Sequence, residues 1–195
     1  MPWRFSFYNQ DGLKFRENLH RFRCTATNDN GQHCHNICVI GEEYCWIHLL
    51  WKKHLRIKPS NIHGGGKGCF AVNKKVGDNA VIFHKDQDIL GYDGEIVTKE
   101  VLQQRYGTDT APYAVEVSKR RNIYEDGALD RSAMSCINAP PAGVQANCRL
   151  TTDIHRNHCK IKASRDIRNG EELYASYGNV YRFDDPTHFA TQYVR

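Results

Sequence analysis

From Ile57 onward the chain alternates short apolar runs with Gly, Asn and Asp. The runs are Cys69-Phe70-Ala71-Val72, Ala80-Val81-Ile82-Phe83, Tyr113-Ala114-Val115-Glu116-Val117 and Cys159-Lys160-Ile161-Lys162-Ala163. Their length and alternation predict strands and not amphipathic helices. The exception is Thr98 to Tyr106, where Thr98 stands as the N-cap of a predicted helix carrying Val101, Leu102 and Arg105. Asp93-Gly94 reads as a hairpin turn. The expected fold class is therefore mainly β, with short strands and one or two small helices. At 195 residues the chain accommodates one such domain and a small module. No apolar run approaches the roughly 20 residues of a membrane span, and Met1-Pro2-Trp3-Arg4 does not open a secretory-type apolar stretch. A soluble, intracellular protein with no membrane partner is expected.

Charge and cysteine content set the first 60 residues apart. They hold nine Lys or Arg against five Asp or Glu, a net +4 of the chain's +5. The excess includes the stretch Trp51-Lys52-Lys53-His54-Leu55-Arg56-Ile57-Lys58, which suits nucleic acid, an acidic protein surface, or simple solvation of a helix end. Four of the eight cysteines, Cys24, Cys34, Cys38 and Cys45, crowd into 22 residues, and His48 follows Cys45 within one turn. That density points to a structural zinc site, which would supply folding energy that so short a segment cannot gain by apolar burial. His33, His35 and Cys38 also fall inside the loop, and Cys38 is able to replace Cys34. The stretch resembles short Cys-x9-Cys, Cys-x2-His modules of large DNA viruses and protists, which implies Cys24, Cys34, Cys45 and His48 as the ligands. Cys69, Cys136, Cys148 and Cys159 read as small buried residues or neighbours of a cofactor pocket.

Three fragments carry the candidate chemistry: Gly66-Lys67-Gly68, Asn138 with Asn147, and Gly170-Glu171-Glu172-Leu173-Tyr174-Ala175-Ser176-Tyr177-Gly178, with Tyr92-Asp93-Gly94-Glu95 between the first two. Each alone is weak, because a glycine-rich turn is usually only a turn. As an ordered set they resemble a SET-domain protein lysine methyltransferase over about residues 55 to 183. The resemblance implies a SET-type β-clip fold. It divides the chain into a zinc-binding module with its basic linker (1–54), the SET domain (55–183) and a tail (184–195).

The same resemblance implies S-adenosylmethionine as cofactor, held by Lys67, Gly68, Cys69, Asn138, Ala139 and Tyr177. Asn138 would pair with the adenine or amino-acid end. Tyr177 falls on the catalytic tyrosine, and Tyr92, Tyr113 and Tyr174 would line the channel for a substrate lysine, although each of these tyrosines suits plain packing equally well. The family's usual Arg and His beside the first asparagine are absent, Ser176 replaces an aspartate, and no cysteine follows Cys159. Phe183 or a neighbour is expected to cover the channel instead. The implied partner is a protein with a target lysine, such as a histone tail, and the implied compartment is the nucleus. The competing reading is a catalytically silent SET-like module that tethers a partner through its zinc segment.

Overall fold

The computed structural model describes residues 3–8, 14–19, 23–27, 30–38, 42–107, 111, 113–127, 132–153 and 155–176, with side chains from 23 onward. Its architecture is mainly β. A hairpin of β1 (Trp3–Tyr8) and β2 (Lys14–Leu19) runs in register from Trp3 opposite Leu19 to Tyr8 opposite Lys14. The cysteine-rich loop follows and leads into α1 (Trp46–Lys53). His54 ends α1 in a left-handed conformation (φ 55°), and its N–H closes onto the carbonyls of Leu49 and Leu50. The chain thereby reverses at this cap into β3 (Leu55–Pro59). The core is continuous across it: Leu49 of α1 packs in the same buried cluster as Leu55 and Ile57.

The remaining strands form small sheets around that cluster. β3 pairs antiparallel with β4 (Lys67–Ala71), and β5 (Val81–Phe83) pairs with β12 (Ile167–Arg168). β6 (Asp88–Gly91), β11 (His158–Ala163) and β10 (Cys148–Asp153) make a three-stranded sheet. A second such sheet orders β7 (Glu95–Thr98), β9 (Ile123–Asp126) and β8 (Ala114–Ser118). In β11 the two-residue period is explicit: Cys159, Ile161 and Ala163 point inward, while Lys160 and Lys162 reach Asp88 on β6 at 3.2 and 3.0 Å.

The predicted helix is α2 (Lys99–Tyr106), with Thr98 as N-cap residue. Leu102 and Tyr106 bury beside Val97 in a second apolar cluster. Asp93 is indeed a left-handed turn residue (φ 53°), but it does not close a hairpin. β6 pairs with β11 and β7 with β9, so the turn passes the chain from one sheet to the other. Among the described residues, no helix is long and apolar enough to cross a membrane.

Candidate functional site

The segment after β12 organises the site. Gly170 turns with φ 89°, and residues 171–175 then run between two parts of the protein. On one side Ala71 N–H donates to Glu171 O at 2.9 Å and Leu173 N–H to Cys69 O at 2.8 Å, both on β4. On the other side Cys148 N–H donates to Tyr174 O at 2.9 Å and Ala175 N–H to Asn138 O at 3.0 Å. Asn147, 2% exposed, clamps the middle: its Nδ2 donates to Glu172 O and its Oδ1 accepts from Tyr174 N–H, each at 2.8 Å. Both asparagines singled out in the sequence therefore hold this segment.

Glu172 is the hub, buried and yet fully served. Its Oε1 accepts from Ser60 Oγ (2.6 Å) and Asn138 Nδ2 (3.4 Å), and its Oε2 from Asn61 N–H (2.7 Å) and Tyr174 Oη (2.9 Å). A buried carboxylate needs such donors to offset desolvation. Asn138 Nδ2 also reaches Lys67 O at 3.0 Å and Ser60 Oγ at 3.2 Å, so one side chain ties the β3–β4 loop to the 171–175 segment. Gly68 lies against this carboxylate, where any Cβ would come within 2.8 Å of Glu172 Cδ and closer still to Oε1. Gly66 holds φ 65° with open space around it, and Lys67 beside it is exposed.

These facts sort the residues expected at the cofactor. Lys67 is accessible, and Asn138 and Ala139 are half-buried beside it. Cys69 is 0% exposed, sits in the core, and its carbonyl is taken by Leu173 N–H. Gly68 is likewise buried and acts by letting the backbone approach Glu172. Ser60, Asn61 and Glu172 were not legible as site residues, because their contacts span more than 100 positions of sequence.

A cavity of about 200 Å³ lies on the far side of the segment, walled by Tyr92, Tyr113, Met134, Ile137, Leu150, Ile161 and Ala175, with Glu116 and Ser135 also lining it. Tyr92 and Tyr113 thus line the same cavity. The hydroxyl of Tyr92 donates to Tyr113 O, which also accepts from Gly127 N–H at 2.9 Å, and the Tyr92 ring lies against Gly127. Tyr174 is placed elsewhere: its hydroxyl serves Glu172, and burial followed by that hydrogen bond pushes its pKa up to about 12. Tyr177, two residues beyond Ala175, and Phe183 lie outside the described residues. Behind the cavity, Asp126 on β9 is fully buried and accepts from Arg105 (2.9 Å) and from the Tyr106 hydroxyl (3.0 and 2.9 Å), which fixes α2 to the sheet.

The N-terminal cysteines form a second constellation. The donor atoms of Cys24, Cys34, Cys45 and His48 all lie within 4.8 Å of one another. Cys34 Sγ is 4.0 Å from Cys45 Sγ, and His48 Nδ1 is 3.4 and 3.3 Å from the sulfurs of Cys24 and Cys45. Tetrahedral zinc with bonds of about 2.3 Å to sulfur and 2.0 Å to nitrogen spaces its ligands by roughly 3.5–3.8 Å, so this set fits the ion. Burial pushes the Cys45 thiol up, but N–H groups of His48 and Ile47, the His48 ring and Asn36 outweigh it and bring the pKa down to about 6. Cys45 is the N-cap residue of α1, where a thiolate faces free N–H groups. Cys38 does not join: its thiol donates to Glu43 O at 3.3 Å, and burial, then the neighbouring thiolates, push it up to about 11. His33 and His35 remain exposed.

A family model, the SET domain, matches residues 66–178, more than half of the chain. The chain belongs to the SET-domain family. Members of this family are generally protein lysine methyltransferases. No curated protein matches the sequence. Among solved structures, this SET domain is similar to the polycomb repressive complex 2 of Chaetomium thermophilum. A crystal structure of that complex aligns at 21% identity and a TM-score of 0.53, over 66% of this chain and 16% of the other. Its autoinhibited form bound to S-adenosylmethionine gives 20% and 0.53 over the same shares. Its complex with H3K27me3 and H3K27M gives 19% and 0.54, over 77% of this chain and 16% of that one. At such identity the likeness is one of fold, and this SET domain spans only 16% of those chains.

Proposed function

We propose that this chain is an S-adenosylmethionine-dependent protein-lysine N-methyltransferase that acts on a histone or another basic protein tail, in the nucleus. The observation that carries the reading is the 171–175 segment. Within five residues it joins the Gly66–Gly68 loop, through Glu172, to the wall of a tyrosine-lined cavity, through Ala175. In this reading a donor side and an acceptor side meet across the 171–175 segment. The similar fungal complex, in its structures with S-adenosylmethionine and with H3K27me3, supports the cofactor and the substrate class.

The residues present fit the cofactor: Gly66 is open, and Lys67 is exposed with its carbonyl held by Asn138. Lys67, Asn138, Ala139 and Tyr177 would hold it. When bound, S-adenosylmethionine supplies a methyl group already activated on a sulfonium. What remains for the protein is alignment and deprotonation of the amine. A free lysine with a pKa near 10.4 costs about 4.6 kcal/mol to present neutral at pH 7. The apolar walls of Met134, Ile137, Leu150 and Ile161 disfavour the ammonium by desolvation, while Glu116, exposed at the rim, attracts a basic tail. Tyr113 would flank the entering side chain, and Tyr177 would orient the amine and contribute chiefly by positioning. Zinc on Cys24, Cys34, Cys45 and His48 would be structural, since four protein ligands leave no open position. In this reading residues 1–54 form the zinc module, 55–183 the SET domain and 184–195 a tail.

The test is incubation with methyl-labelled S-adenosylmethionine and separate panels of histones and whole-cell protein. Label on protein that falls at least a hundredfold in Tyr177→Phe is expected. Cofactor binding with no label on any panel would overturn the proposal in favour of a silent tethering module.

A further inference from the structure

The basic run at 51–58 does not behave as a run. Lys53 turns to Glu43 at 3.4 Å. Arg56 and Lys58 alternate with buried Leu55 and Ile57, so both project from one face of β3, about 6.7 Å apart. There they meet a second cationic element from another part of the sequence, the 73–76 turn. A cleft of about 390 Å³ is lined by Arg56, Lys58 and Lys74, with Asn73, Asn169 and a single acid, Asp78. Lys75 Nζ lies over one face of the Trp51 ring, 5.8 Å from its centroid, and Trp51 on α1 is 44% exposed. Among the described residues, Arg56, Lys58, Lys74 and Lys75 make no ion pair, and the Lys58 ammonium sits over the Phe70 ring, 3.9 Å from its centroid.

The turn presenting these lysines is rigid. Asn169 Oδ1 accepts from Asn73 N–H at 2.9 Å, and Asn169 Nδ2 donates to the carbonyls of Asn73 and Val76 at 3.1 and 3.2 Å. Asn73 Oδ1 in turn accepts from Lys75 N–H at 2.9 Å. Like charges held together on a rigid frame repel one another and weaken the fold, unless a polyanion repays them.

We infer that the outer face of β3, the 73–76 turn and Trp51 form a binding surface for single-stranded nucleic acid. Arg56, Lys58, Lys74 and Lys75 take phosphates of the backbone, and Trp51 offers a ring for stacking a base. The combination of a cationic groove with an exposed aromatic ring distinguishes this partner from an acidic peptide, which would use the cations and leave the indole idle. The inference stands apart from methyl transfer.

Fluorescence anisotropy of a labelled oligothymidylate with the full chain tests it. Four phosphate contacts give a slope of log K against log salt near −2.8, a loss of about 50-fold between roughly 50 and 200 mM salt. Lys74→Glu with Lys75→Glu should weaken binding at least tenfold and flatten the slope to about half. Trp51→Ala should cost about tenfold with less change in slope. Arg56→Gln provides an independent variant should the turn variant fold poorly. Lys119→Glu with Arg120→Glu, the same charge change on the β8–β9 turn, should stay within twofold. Equal losses from both charge reversals would overturn the inference. So would a duplex of the same length binding as tightly, or polyglutamate competing as well as the oligonucleotide.

Discussion

Gly68→Ala isolates the contact on which the site is built. Gly68 does not have a positive φ, so alanine meets no backbone strain there. At an unhindered position of that kind, the change would stabilise the protein by about 0.4–1 kcal/mol through the unfolded state. Here the added methyl would stand 2.8 Å from Glu172 Cδ and 3.1 Å from Phe70 Cε2, and nearer still to Glu172 Oε1. Glu172 cannot step aside cheaply. Moving Oε1 breaks its bonds with Ser60 and Asn138 inside a buried region, and each bond to a charged group contributes about 1.5–3 kcal/mol. Overpacking alone costs about 1–3 kcal/mol. A net loss of about 3 kcal/mol follows, a fall in Tm of roughly 6–12 °C for a chain of this size. The assay is denaturant and thermal unfolding of a double-mutant cycle with Glu172→Ala. Truncating the carboxylate removes the collision, so alanine at 68 should cost less than about 1 kcal/mol in that background. An equal cost in both backgrounds, or a stabilised Gly68→Ala, would refute the packing argument.

Metal content supplies the next prediction: one zinc per chain, lost in Cys34→Ser and retained in Cys38→Ser, read by atomic absorption. Chelation should lower Tm, because Leu49 on the adjoining helix belongs to the main core. Asp126→Asn leaves Arg105 and Tyr106 beside a neutral amide in a buried site and should cost roughly 3 kcal/mol by urea unfolding, with no loss of zinc. At Glu171, burial pushes the carboxyl up, but the Arg165 guanidinium and the Arg168 N–H overcome it and hold it below the usual carboxylate value. A depressed folded-state pKa adds stability that is complete above the unfolded value and lost as pH falls through the folded one. Glu171→Gln should therefore cost less than about 1 kcal/mol at pH 7, the pair being partly exposed, and the difference from wild type should close as pH falls below about 4.5, which flattens the acid limb of the stability profile.

Which features could be read in advance follows from how local their causes are. Strands β4, β5, β8 and β11 lie where alternation placed them, because alternation is a property of four or five neighbouring residues. The helix at Lys99–Tyr106 likewise begins after its N-cap residue, as a local signal should. The hairpin of β1 and β2 was also legible, in the alternation of Trp3, Phe5 and Phe7, but a reading of residues 1–54 led by cysteines passes over it. Asp93-Gly94 shows the limit: the turn was visible, whereas the partners of the strands on either side depend on β9 and β11, tens of residues away. The site divides in the same manner. Spacing brought the Cys and His donors together, since they crowd into 25 positions and converge on one point. Glu172 read as one more motif residue, and only the fold shows Ser60, Asn61, Asn138 and Tyr174 converging on it. Cys69 shows the same dependence: a strand residue next to a glycine-rich loop could face either way, and only the fold shows that it sits in the core.

The most direct test of the central claim is tandem mass spectrometry of the substrate protein after incubation with S-adenosylmethionine, with S-adenosylhomocysteine counted in parallel. The account predicts added methyl mass on a lysine Nζ, matched one for one by S-adenosylhomocysteine and absent in a Tyr177→Phe variant that still binds cofactor. Methyl groups on another residue type, or cofactor bound by the wild-type chain with no methylated lysine formed, would contradict it.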